Sequence, residues 1–248
     1  MKKTNTALIL AAVAMATLAL AATSGNAASI GVNFGRNQAS DTLASTDTAG
    51  VVAQDNWNNR LGGGSGASQV WDDSGGLLTT TVAVSTPWNH YSGSGTATAD
   101  HKLMSGNLDG NNTSTLSATF NGIPYAEYDV YVYFDGSNGG DQREGTYTVD
   151  GNAKTGIDLA GATFSGTFIE DTGNGGNYLK WSGLTNPNIV VVSAKPIDGP
   201  DPVDRAPMNA IQIVEATAPP TIPEPMTMLA VGMSVAGLGR YVRKRRRA

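Results

Sequence analysis

The chain has no cysteine. That excludes disulfides, thiol nucleophiles and cysteine-ligated zinc. Histidine is nearly missing as well: only His90 and His101 occur, without metal-ligand spacing. There is no G-x-S-x-G nucleophile elbow. The glycine run at 62–66 is followed by no lysine, so it is not a P-loop. Between the two ends of the chain no segment sustains a 3.6-residue apolar period, which excludes a helical bundle. With aromatics at 7% of residues, the four tryptophans Trp57, Trp71, Trp88 and Trp181 stand out individually.

What the chain does have is glycine, 31 residues of it, with many Asn, Asp, Ser and Thr. Such residues populate turns. Between them lie short alternating or β-branched runs: 29–34, 68–72, 77–85, 116–123, 128–135, 145–149, 162–169, 178–181, 189–193 and 210–214. The stretch Asp73-Ser74-Gly75-Gly76 reads as a hairpin turn between two of them. Turn signals every 8–12 residues or so are the spacing of sandwiches and barrels. The expected fold is all-β, an antiparallel, jelly-roll-like β-sandwich over 28–215. Residues 85–112 are expected as a long polar loop or an irregular excursion with a weak strand, and 216–222, with Pro219 and Pro220, as a linker.

The two ends have a different composition. Lys2 and Lys3 precede an apolar run, and Gly25-Asn26-Ala27 offers a small-residue cleavage site. This predicts a signal peptide over 1–27, with a helical apolar region. At the other end, residues 226–239 are uncharged and Arg240-Tyr241-Val242-Arg243-Lys244-Arg245-Arg246-Arg247 is strongly basic. Fourteen helical residues reach about 21 Å, short of the hydrocarbon core of about 30 Å. Extension to 242 with a snorkelling Arg240 predicts a short transmembrane helix over 226–242. The basic end stays cytoplasmic and the body lies outside.

Charge separates these ends from the body. The whole chain carries −5. Residues 28–222 contain 8 basic and 20 acidic side chains, a net −12. So acidic a body repels phosphate backbones, which disfavours nucleic acid as a partner, and it attracts divalent cations.

Pro223-Glu224-Pro225, the short apolar segment and the Arg-rich end together resemble the PEP-CTERM sorting signal of Gram-negative bacteria. The resemblance covers 223–248, about a tenth of the chain. It implies export through the inner membrane, transient residence there, processing by an exosortase-type enzyme, and a destination at the cell surface or in the extracellular matrix. The body has a second likeness. Ile30-Gly31-Val32-Asn33-Phe34, the Tyr-rich strand followed by Asp135-Gly136, and Asn209-Ala210-Ile211-Gln212-Ile213-Val214 resemble galactose-binding-like jelly rolls of carbohydrate-binding modules. That likeness implies binding of ligands, commonly glycans such as extracellular polysaccharide, often with a structural calcium ion as the one candidate cofactor.

Sugars are held by flat rings beside hydrogen-bonding side chains. Trp57 with Asn58, and Trp88 with Asn89 and Tyr91, combine these in loop-like sequence, where loop packing is an equal expectation. Trp71 and Trp181 fall in strand-like runs and are expected in the core. Tyr131 and Tyr133 share one face of the central strand with Asp129 and Asp135. That face is either a sugar platform or, the weightier expectation, a covered face whose hydroxyls reach the rim. For calcium, the oxygen-rich turns give Asp109 and Asn111, then Asp135, Asn138 and Asp141. None fits an EF-hand. Carboxylate pairs such as Asp135/Asp141 or Glu170/Asp171 suit a glycosidase, but chance pairs abound in so acidic a body. The expectation is therefore a non-catalytic protein, with a secreted glycan-active enzyme using paired carboxylates, or a purely structural matrix protein, as the alternatives.

Overall fold

The computed structural model describes residues 27–36, 38–61, 65–86, 88–91, 93–109, 115–136, 141–161, 163–194 and 205–216. The expected signal helix and the tail with its short span lie outside the described residues. Among the described residues no helix is long and apolar enough to cross a membrane.

The described residues form thirteen strands and one short helix. The strands are β1 (Ser29–Gly35), β2 (Asn58–Leu61), β3 (Ser65–Trp71), β4 (Leu77–Ser85), β5 (Trp88–Tyr91), β6 (Gly106–Asp109), β7 (Leu116–Asn121), β8 (Tyr128–Tyr133), β9 (Arg143–Val149), β10 (Asn152–Asp158), β11 (Tyr178–Leu184), β12 (Asn188–Ala194) and β13 (Ala210–Glu215). The helix, α1, is Ala99–Leu103, capped by the Thr98 side chain, which accepts the His101 N–H. One sheet has five strands in the order β11-β8-β13-β1-β2, the other six in the order β10-β9-β12-β7-β4-β3. β5 and β6 make a separate antiparallel pair. Among the described strands, the ladders between strands are antiparallel except β1 with β2, which is parallel and departs from the expected pattern.

The two sheets face each other across one core. Val130 and Val132 of β8, Ile211 and Ile213 of β13, and Ile30 and Val32 of β1 meet Val82 and Val84 of β4, Phe120 of β7 and Val191 of β12. Period-two alternation aims these side chains inward. Burying each is worth about 1.5–3 kcal/mol.

The five-stranded sheet is covered on its other face too. Tyr131, Tyr133, Ala210 and Val214 on that face pack under Leu43, Ala49, Trp57, Leu103, Met104 and Phe164. This second layer explains why all seven residues of β1 are buried. A strand covered on both faces loses the simple inside–outside code.

Several expectations need correction. For residues 85–112 the irregular excursion replaces the long loop, with two short strands, β5 and β6, and α1 between them. Residues 163–169 form no strand. Their apparent alternation comes from Phe164 and Phe168, whose rings meet at a tilt with centroids 5.0 Å apart and pack in the second layer. β2 and β10 arise where no strand was expected. The expected strands at 29–34, 77–85, 116–123, 128–135 and 210–214 all appear, within two residues at either end.

Candidate functional site

Trp57 is not a surface ring. It is 5% exposed, and its indole N–H donates to the carbonyls of Gln54 at 3.1 Å and Ala49 at 3.3 Å. Its edge meets Tyr133, with centroids 6.3 Å apart. Asn58 is buried and spent on structure. Its Nδ2 donates to Gly31 O and Trp71 O, and its Oδ1 accepts Trp71 N–H. Both residues are therefore corrected from ligand candidates to clamps that fix residues 49–58 onto β1. Tyr133 is fully buried. Its hydroxyl donates to Gln212 Oε1 at 2.7 Å and accepts Val51 N–H at 2.8 Å. Tyr131 is also buried, beside Tyr178 and beneath Lys180 Nζ. The Tyr face of β8 is thus covered and offers no sugar platform. Trp88, Asn89 and Tyr91 lie on a strand, not a loop, paired with Asp109, Leu108 and Gly106 respectively. Their side chains lie outside the described residues.

Of the expected calcium ligands, Asp109, Asp135 and Asp141 are among the described residues. Asp109 is neutralised by Arg205, with Nη1–Oδ2 at 2.6 Å. Asp141 is exposed while Asp135 is buried, and Asn111 and Asn138 lie outside the described residues. Among the described residues, no three carboxylate or imidazole groups gather as a metal cluster. The partner the fold brings to Asp135 is Asp158, the last residue of β10. Asp158 Oδ2 accepts the N–H of Gly136 at 2.9 Å, and both carboxylates are buried. Burial first, then the Asp158 charge, pushes the Asp135 carboxyl up to about 8, against hydrogen bonds from Phe164 N–H and Ser94. Asp135 Oδ1 has no hydrogen-bond partner. The same holds for the buried Asn107 Oδ1 and Asp109 Oδ1.

Asn209 holds this end of the sandwich together. Its Nδ2 donates to the carbonyls of Met104, Gly106 and Asp135, and its Oδ1 accepts Asp135 N–H at 2.7 Å. Asp171 has a similar role elsewhere: it accepts the N–H groups of Ile157, Gly173 and Gly175. The Glu170/Asp171 pair therefore serves the loop, because Asp171 is buried and committed to backbone.

The surface with the most distinct chemistry lies on the six-stranded sheet. Its outer face alternates with the core positions of β4, β7 and β12. Four adjacent strands, β12, β7, β4 and β3, contain no charged residue. In β9 and β10 the charged Arg143, Lys154 and Asp158 fall on the inward register and only Glu144 on the outward one. Thr, Ser and Asn dominate the remaining outward positions. Trp71, expected in the core, is 48% exposed there, and its register partner Leu77 is 53% exposed. Val70 takes the inward position instead, so Trp71 must point out.

These features define an all-β sandwich with one doubly covered sheet and one sheet open to solvent. No protein-family model and no curated protein matches the chain. The solved structures that resemble it weakly include the following two. The CBM36-1 domain of a multidomain xylanase from the hindgut metagenome of Trinervitermes trinervoides is 12% identical. That match covers 63% of this chain and 93% of that one, with a TM-score of 0.31. The exo-beta-1,3-galactanase of Phanerochaete chrysosporium is 11% identical over 60% of this chain and 29% of that one, with a TM-score of 0.29. Likeness at this level carries no functional argument, which has to come from the residues.

Proposed function

We propose that this is an exported, non-catalytic cell-surface or matrix protein whose sandwich binds glycans. A PEP-CTERM-like signal at 223–248 directs it there, and an exosortase-type enzyme processes the tail. The observation that carries the binding reading is the outer face of the six-stranded sheet. A body of net −12 keeps four adjacent strands free of charge and lines them with hydroxyls, amides and one exposed indole. Hydroxyl and amide groups pair with sugar hydroxyls, and an indole stacks on their C–H faces. The calcium reading narrows to Asp135 and Asp158. They fit the start of a hard-ion set, two buried carboxylates with one orphaned oxygen.

Glycan hydrolysis is the second reading, because Asp135 raised beside an acidic partner has the pattern of a general acid. The burial of both carboxylates weighs for binding instead. A glycan array on the purified protein, with and without calcium, tests the proposal. Retention of one or more glycans supports it, and a blank array in both conditions overturns it.

A further inference from the structure

We infer that the docking surface is the outer face of β12, β7, β4 and β3, and that its ligand is an extended, uncharged polysaccharide. This rests on the glycan-binding reading above and adds the place and the ligand class.

The strand registers build the face row by row. Asn188 of β12 stands opposite Asn121 of β7, which stands opposite Thr81 of β4, which stands opposite Gln69 of β3. This is a continuous row of amide and hydroxyl side chains running across the strands. At about 4.8 Å per strand it spans roughly 14 Å. Its two ends are already oriented. Asn188 Oδ1 accepts Gly122 N–H at 3.0 Å, and Gln69 Nε2 donates to Leu78 O at 2.9 Å. The next row is Val190, Thr119 and Ala83, with Val190 43% exposed. A polar row beside a low, largely apolar one matches the two edges of a sugar chain, hydroxyl rim and C–H face. Trp71 and Leu77 close the surface at the hairpin end.

Charge decides the ligand class. An acidic polysaccharide approaching a body of net −12 meets repulsion and, among the described residues of these four strands, no cation to offset it. A neutral chain meets neither. A second copy of the protein is the other occupant a flat sheet invites. Protein interfaces, however, are enriched in aromatic residues, Met and Arg. Among the described residues of this face, Trp71 is the only such side chain. Its eight outward hydroxyl and amide side chains suit a polyhydroxylated partner better.

The test uses the full chain in detergent and affinity electrophoresis in gels containing hydroxyethyl cellulose, as a neutral probe, or polygalacturonate, as an acidic one. The wild type is expected to be retarded by the neutral polymer alone. Trp71→Ala and Thr119→Glu are expected to weaken retardation tenfold or more with an unchanged melting temperature. Thr172→Glu, on the distant 171–176 loop, is expected to leave it unchanged. Retardation by polygalacturonate alone overturns the ligand class and leaves glycan binding standing. Undiminished neutral binding by both face variants overturns the surface and leaves glycan binding standing. No retardation by either polymer overturns this inference, while the wider array decides the general reading. A concentration-dependent dimer abolished by Thr119→Glu assigns the face to a second copy and overturns it too.

Discussion

Gly31 lies directly beneath the indole of Trp57. A β-carbon at residue 31 would come within 2.5 Å of Trp57 Cε3 and of Gln54 Nε2. The missing side chain on β1 is therefore the space in which the ring sits. The ring in turn covers the outer face of the five-stranded sheet. Trp57→Ala is expected to cost about 3–5 kcal/mol, as for a core tryptophan. Gly31→Ala is expected to cost roughly 1–3 kcal/mol by overpacking. Urea denaturation of each variant at constant slope measures both. A loss below about 1 kcal/mol for Trp57→Ala would place the ring outside the stabilising core.

Asp135 predicts an unusual pH dependence. Its folded carboxyl sits near 8, while the unfolded one sits near 3.9. Between these values the native state holds a proton that the unfolded state releases. The group's contribution to stability is thus full below about pH 4 and is lost as pH climbs to 8, by up to about 1.4 kcal/mol per unit. Asp135→Asn keeps the neutral form and removes this slope. Thermal unfolding in calcium-free buffer at pH 5, 6, 7 and 8 is expected to show the variant gaining on the wild type as pH rises. Parallel curves would contradict the assignment.

Calcium is expected to act at the same place. Millimolar calcium at pH 7.5 is predicted to raise the melting temperature of the wild type and to leave Asp135→Asn unmoved. A ligand at 100 times its dissociation constant stabilises by about 2.7 kcal/mol. If both proteins respond equally, the ion binds elsewhere. If neither responds, the buried pair is a proton site alone.

Processing of the tail gives a prediction independent of the fold. Mass spectrometry of surface-located protein from its native host is expected to find peptides of the body and none beyond Pro225. Recovery of the Arg243–Ala248 end in that fraction would make 226–242 a permanent anchor.

Some of this molecule is legible in its sequence. β4 sets Thr80, Val82 and Val84 on the core face between Thr79, Thr81, Ala83 and Ser85 on the solvent face, and its bounds at 77 and 85 follow directly. The hairpin between β9 and β10 was not read, although Asp150 and Gly151 both adopt positive φ, 48° and 78°, as an Asp-Gly turn favours. β2 carried no such signal. Asn58-Asn59-Arg60-Leu61 neither alternates nor favours strand, and it becomes one only by pairing in parallel with β1.

The sequence by itself determined the strand-rich class, the acidic body and the distinct ends, because composition and period-two patterning act over a few residues. Only the tertiary structure decided which aromatic rings are buried. For Trp57, among asparagines, a binding role and loop packing were equal expectations; its neighbours donate inward to backbone carbonyls and the ring fills the hollow over Gly31. Trp71 looked like core in a strand, yet Val70 occupies the inward position and turns it to solvent. In the same way Asp135 meets Asp158 instead of Asp141, since sheet register, and not separation along the chain, sets which charges share a buried site.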